Sequence, residues 1–159
     1  MNPVIKNLPE KKLVGKRLPM SLAANRTMEL FKSFMPVRNE IKNSTGTDLF
    51  ALRLYDNNYS FKSIDLNAVF EKWAALEVND FAQVPEGMES LTLESGLYAV
   101  FHYKGLNTDP QIFRYIFGEW LPDSQYEIDQ RPHFELLGEK YKNGDPESEE
   151  EIWLPIKPK

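Results

Sequence analysis

The sequence predicts an α+β domain in which strands carry two main helices, and three observations lead there. From Pro110 to Leu121 the apolar residues Ile112, Phe113, Ile116, Phe117 and Trp120 recur at steps of three and four, the period of a helix with one buried face. His133-Phe134-Glu135-Leu136-Leu137 alternates instead, so that His133, Glu135 and Leu137 point to one side of a strand and Phe134 and Leu136 to the other. The third observation is bulk composition. At 159 residues, 42% hydrophobic and 27% charged, the chain reads as one ordinary globular domain, residues 1–159, with a core of useful size.

Taken in order, residues 1–9 read as a loosely held lead-in. Lys12 to Leu18 is a first strand that Pro19 ends. Ser21 is a candidate N-cap for a helix carrying Leu22, Met28, Leu30, Phe31, Phe34, Met35 and Val37, with Pro36 marking a kink or the start of a second helical piece that ends near Asn43-Ser44-Thr45-Gly46. Asp48 to Tyr55 alternates as a strand, and Asp56-Asn57-Asn58 is a turn. Phe70 to Val78 suits a helix or a strand, since Ala74-Ala75-Leu76 has no strong β preference. Met88 to Leu93 and Gly96 to Tyr103 are strand material. After the helix at 110–121, Pro122 removes a backbone donor and Asp123-Ser124-Gln125 makes a polar turn. Pro132 restarts the chain into the Glu135 strand, and Glu151 to Ile156 closes it with Ile152, Leu154 and Ile156 on one face.

Several function classes fall away. There is no Cys, the two histidines His102 and His133 have no metal-ligand spacing, and neither GxGxxG nor GxxxxGK[ST] occurs. No metal or cofactor is therefore expected. Ser95 lacks a nucleophile-elbow context. The N-terminus has no apolar signal-peptide core and no apolar run approaches a membrane span, so a cytoplasmic location is the expectation. The formal net charge of −5, from 24 acidic and 19 basic residues, disfavours a binder of phosphate backbones and leans towards cationic ligands. Part of the acidic excess lies in Glu147 to Glu151, a charge run that reads as solvated.

Glu135 has apolar neighbours on both sides in sequence. Within a cavity such a carboxylate either has its pKa raised or waits for a cationic partner; on a half-exposed strand it is simply solvated. Arg131 is a candidate partner for Asp129 or for Glu135 itself. Aromatic content is 13%, with 10 Phe, 7 Tyr and 3 Trp. Tyr55, Trp73, Tyr98, Phe101, Tyr103, Phe113, Tyr115 and Trp120 are the rings available to stack a flat or cationic ligand, or simply to fill the core.

The run GLYAVFHYKG from Gly96, IFGEWLP from Ile116, RPHFE ending at Glu135, and EIWLPIK from Glu151 resemble the C-terminal half of GyrI-like domains, also called AraC-type effector-binding domains. EKWAALEV from Glu71 and VPEGMES from Val84 extend the resemblance upstream. It implies that Phe70 to Val78 is a strand and that strand, helix, strand, strand occurs twice, at about 10–79 and 88–157. The two units would share a curved antiparallel sheet whose two helices flank a central ligand groove. It further implies that Glu135 is the acidic centre of that groove, with Trp73, Tyr98 and Trp120 as its first walls; Tyr55, Phe101, Tyr103 and Phe113 remain candidates from their ring chemistry. The function implied is a stand-alone module binding lipophilic, cationic or aromatic small molecules, in a regulatory or sequestering role.

Related domains are joined to DNA-binding segments, but here the resemblance starts near residue 10, so no direct DNA contact is expected. A second reading, also from the family, is a hydrolase of reactive lipophilic electrophiles. In it Glu135 is the general base and Tyr98 (or Tyr103) orients water. A third, from the family name alone, is a modulator of DNA gyrase. Ligand identity and oligomeric state are left open by the sequence.

Overall fold

The computed structural model describes residues 2–159; Met1, at the head of the expected lead-in, lies outside them. The strands are β1 (Val4–Leu8), β2 (Lys11–Met20), β3 (Leu49–Leu54), β4 (Phe70–Val78), β5 (Glu89–Leu93), β6 (Gly96–Lys104), β7 (Tyr126–Ile128), β8 (His133–Leu137) and β9 (Glu149–Pro158). They form one antiparallel, curved and unclosed sheet in the order β1-β6-β9-β8-β3-β4-β2-β5, with β7 paired to the end of β9. The lead-in is thus partly a strand. Val4–Leu8 sits on the edge with only Leu8 buried, so it has no alternating apolar face to betray it in the sequence.

The first helix, α1 (Thr27–Phe34), begins five residues later than its candidate cap suggested. Ser21 Oγ instead accepts from the Ala24 N–H in a turn, and Asn25 Oδ1 accepts from the Thr27 N–H just before the helix. A 3₁₀ stretch, Met35–Glu40, follows with Pro36 in its first turn, where a missing N–H costs nothing. The second helical segment runs as α2 (Gln111–Tyr115), a π-helical turn (Ile116–Trp120) and α3 (Leu121–Asp123). Pro122 does not stop it at Leu121, because it falls in the first turn of α3, where its ring and fixed φ are tolerated.

The two faces of the sheet are different places. On the inner, concave face Leu8, Leu13, Phe50, Leu52, Trp73, Leu93, Tyr98, Phe134 and Trp153, drawn from eight strands, share one core. On the outer face the helices sit apart. Leu30 and Phe34 of α1 pack on Val14, Ala51, Ala74 and Leu76, whereas Ile112 and Ile116 pack on Ala99, Phe101, Ile152 and Leu154. Between them β3 and β8 run side by side at the middle of the sheet.

The curl demands one bare position. A Cβ on Gly15 in β2 would stand 1.9 Å from the Ala74 carbonyl oxygen of β4. Gly15→Ala should therefore cost about 3 kcal/mol, read as a lower urea midpoint. Gly118→Ala, which meets nothing within 4 Å, should leave that midpoint unchanged or raise it slightly. Equal midpoints for both variants would show that the β2–β4 contact is not tight.

Candidate functional site

Alternation places the floor of the gap between the helices. In β3 the residues Leu49, Ala51 and Arg53 share the outer face with the following Tyr55; in β8 they are His133, Glu135 and Leu137. Across the strands, Lys72, Arg53 and His133 stand in one row, and Ala74, Ala51, Glu135 and Ile152 in the next. Arg53 reaches diagonally across to Glu135, its Nη2 hydrogen-bonding and ion-pairing with Oε1. Both side chains are less than a fifth exposed. The Arg53 guanidinium also lies 4.9 Å from the Phe113 ring centre.

Charge is concentrated here. Glu150, two residues before Ile152 on the same face of β9, is buried. That burial, reinforced by the Glu135 charge, lifts its pKa to about 7. Lys72 is drawn down to about 8, first by burial and then by Arg53 beside it, and its Nζ donates to Thr27 Oγ1 at 3.1 Å. His133 is buried and held neutral, its pKa lowered to about 3 by burial and by the Arg53 and Arg131 charges. Two cations and two carboxylates thus meet under an aromatic roof.

That roof comes from two directions. Tyr55 stands within ring contact of Tyr59 (4.3 Å), Phe61 (4.9 Å), Phe70 (5.4 Å) and His133 (4.9 Å). Phe117 in the π turn stacks on Phe61 at 5.4 Å and 10°. Only about 20 Å³ of open cavity remains among Arg53, Phe113, Phe117 and His133.

Of the residues expected at the site, Glu135, Tyr55 and Phe113 do gather in this gap. Phe101 of β6 and Trp120 at the end of the π turn are on the same outer face but outside the gap, in edge contact with each other at 5.2 Å, and Trp120 stacks on Tyr126. Tyr103 spends its hydroxyl on the Leu106 carbonyl at 2.7 Å. Trp73 and Tyr98 lie on the opposite, concave face. Trp73 Nε1 donates to Glu71, and the Tyr98 hydroxyl donates to the Pro132 carbonyl at 2.8 Å. Burial raises the Tyr98 pKa above its ordinary value. The sheet therefore separates Tyr98 from Glu135, so of the hydrolase reading's two tyrosines Tyr98 is not placed to act with that carboxylate.

Arg131 takes Asp129 at 2.8 Å and the carbonyls of Leu97 and Ile156, and leaves Glu135 to Arg53. Sequence reasoning missed Arg53, Lys72, Glu150, Tyr59, Phe61 and Phe117 as site residues. The alternation of β3 and β9 holds the signal for two of them. Arg53 falls in step with Ala51, and Glu150 in step with Ile152, Leu154 and Ile156, so the acidic run is not uniformly solvated.

Residues 1–157 match the family model of the GyrI-like small molecule binding domain. No curated protein matches the chain by sequence. Among solved structures, SAV2435 bound to tetraphenylphosphonium is 18% identical with a TM-score of 0.72, over 99% of this chain and 94% of that one. The EcmrR C-terminal domain is 17% identical with a TM-score of 0.68, over 98% and 97%. A hydrolase encoded by lin2189 from Listeria innocua is 13% identical with a TM-score of 0.64, over 98% and 92%. At such identities the likeness speaks for the fold. Among the described residues no group of His, Asp and Glu side chains gathers as a metal site, and no helix is long and apolar enough to cross a membrane.

Removing one partner of the central pair strands the other in a poorly solvated place. Glu135→Leu should cost about 3 kcal/mol or more in unfolding free energy, and the double variant Arg53→Met/Glu135→Leu should regain most of it. A single variant as stable as the parent would mean that Arg53 finds another partner.

The pH dependence has two opposing parts. In the fold Glu150 keeps its proton to about pH 7, whereas the unfolded chain releases it near 4.5, so this group makes stability fall as pH rises through that window. His133 is neutral in the fold down to about pH 3 but protonates near 6.5 when unfolded, so it makes stability fall as pH drops from 6.5. Glu150→Gln should accordingly gain on the parent between pH 5 and 7 in chemical denaturation, and a constant difference across that range would contradict the burial of the Glu150 carboxyl.

Proposed function

The chain belongs to the family of GyrI-like small molecule binding domains, and from that premise we propose that it holds lipophilic small molecules bearing an aromatic ring, cations among them, in the groove between its helices. The observation that carries this reading is the Arg53–Glu135 pair set beside Glu150 beneath the rings of Tyr55, Phe61, Phe113 and Phe117. Aromatic faces offer area and attract positive charge; buried carboxylates supply the counter-charge. A regulatory or sequestering role would be exerted through the ligand. The net charge of −5 argues against contact with a phosphate backbone.

The charges refine the expected preference for cations. Glu135 already has a cation in Arg53, so an entering one must either displace that guanidinium or ionise Glu150. The second route is open near neutral pH, since Glu150 titrates at about 7. Neutral aromatic ligands use the same walls without either step. The neighbour SAV2435 is described with tetraphenylphosphonium, a lipophilic aromatic cation, which makes that compound a suitable probe.

Calorimetric titration with tetraphenylphosphonium and with the neutral triphenylphosphine oxide should show both binding, the cation gaining about tenfold in affinity from pH 6 to pH 8 and the neutral compound staying flat. Glu150→Gln should remove the pH-dependent gain. Absence of saturable binding by either compound would remove the reading altogether.

A further inference from the structure

The segment joining β3 to β4 puts its own ring where a ligand ring would go. Phe61 lies near-parallel to Phe117 at 5.4 Å and 10° and to His133 at 5.0 Å and 21°, with Tyr55 edge-on at 4.9 Å. Phe117 and His133 themselves stand 6.4 Å apart at 26°, so the three rings form a triangular, near-parallel cluster in which Phe61 fills a slot flanked by both. One wall belongs to the π turn of the second helical segment and the other to β8, one residue past Pro132 and two before Glu135. A ring held in that slot therefore lies beside the Arg53–Glu135 pair.

The rest of the segment is weakly tied. Residues 56–69 make local turns, in which the Tyr59 N–H bonds to Asp56 and the Ala68 N–H to Asp65. Among the described residues the single hydrogen bond from this stretch to a distant segment is the Ala23 N–H to the Leu66 carbonyl, 2.9 Å. Ile64, Leu66 and Val69 are exposed at 79%, 56% and 61%. So the stretch is anchored over the groove chiefly by Phe61 and Tyr59 through ring contacts, each worth about 0.5–1.5 kcal/mol, which a ligand could replace.

We propose that Phe61 is a built-in competitor that occupies the slot flanked by Phe117, His133 and Tyr55, and that the groove selects ligands carrying a flat, phenyl-sized ring able to displace it. This rests on the function proposed above and adds the feature of the ligand that the site reads. The physics is competition. A site whose open form is only a fraction of the population binds with an affinity reduced by that fraction, so deleting the internal ring tightens binding of whatever uses the slot. A ligand with charge and bulk but no flat ring gains far less, because it cannot use the two stacking faces that Phe61 vacates.

The test is calorimetric titration of the parent, Phe61→Ala and the control Ile64→Ala with tetraphenylphosphonium and with the aliphatic tetrabutylphosphonium. Phe61→Ala is expected to bind tetraphenylphosphonium about tenfold more tightly than the parent and to change tetrabutylphosphonium affinity by less than about twofold, with Ile64→Ala unchanged for both. A 4-fluorophenylalanine probe at position 61 should, in the otherwise unaltered chain, shift its ¹⁹F resonance on saturation with tetraphenylphosphonium, as the ring leaves its slot. Equal affinity of parent and Phe61→Ala for the aromatic cation, or an unmoved ¹⁹F signal at saturation, overturns the competitor while leaving the binding function in place. An equal gain for both cations overturns the ring selection. Binding of neither compound to any variant defeats the proposed function and this inference with it.

Discussion

The structure depends on two connections that are too short for a flat sheet. β1 and β2 are joined through Pro9 and Glu10 alone, and β5 and β6 through Glu94 and Ser95, yet each pair stands six strand positions apart in the sheet order. Six spacings of a flat sheet amount to about 29 Å, and three Cα steps reach about 11 Å. The sheet must curl until its edges approach one another. Leu8 and Leu13 on either side of the first link, and Leu93 and Tyr98 around the second, accordingly meet in the concave core. That curl settles where everything else goes. The inner face is filled by its own side chains, both helices are left to the outer face, and the middle strands between them have no helix of their own.

A gap over the middle of a sheet is costly unless something fills it, and here charge and rings do so together. Arg53 and Lys72 face each other across β3 and β4, an arrangement of like charges that is unfavourable by itself. Glu135 and Glu150 offset it from the other side, and Ala51 and Ala74 keep the neighbouring positions small. A pair such as Arg53–Glu135 is poor evidence for stability, because desolvation cancels most of its attraction, whereas an apolar pair in its place would pack without penalty. Its place between the two helices on the outer face fits a groove that must stay polar at the bottom.

Much of this was legible in the sequence, within definite limits. Period two located β8 to the residue and put Glu135 on the face of His133 and Leu137; period three to four located the second helix, though nothing in its composition marks a π turn. What a strand cannot report is which of its faces becomes the groove. Trp73 and Tyr98 lie in the expected strands but on the alternate parity, so the same pattern that placed them correctly along the chain could not tell core from pocket. Arg53 and Glu150 were readable by parity once their strands were assigned. Phe61 was not, since it sits in a segment without periodicity and owes its position to the rings it touches.

Arg53 and Phe61 can be considered together. The guanidinium rests on Phe113 and engages Glu135, while the phenyl ring packs against both Phe117 and His133. A cation next to a flat ring is the chemistry proposed for the ligand, and the protein supplies it from its own side chains. Such a groove need not be empty to be a binding site. Its walls are kept dry and its carboxylate satisfied by groups that a ligand can replace one for one. Affinity is then governed less by the area a ligand buries than by the difference between its contacts and those it displaces. The same reasoning explains why a phosphonium with four phenyl groups is a better probe than a simple ammonium ion. The ammonium would compete with Arg53 alone, against a partner already well placed, whereas the aryl cation also competes with Phe61, which is held by rings and a single distant hydrogen bond in its segment.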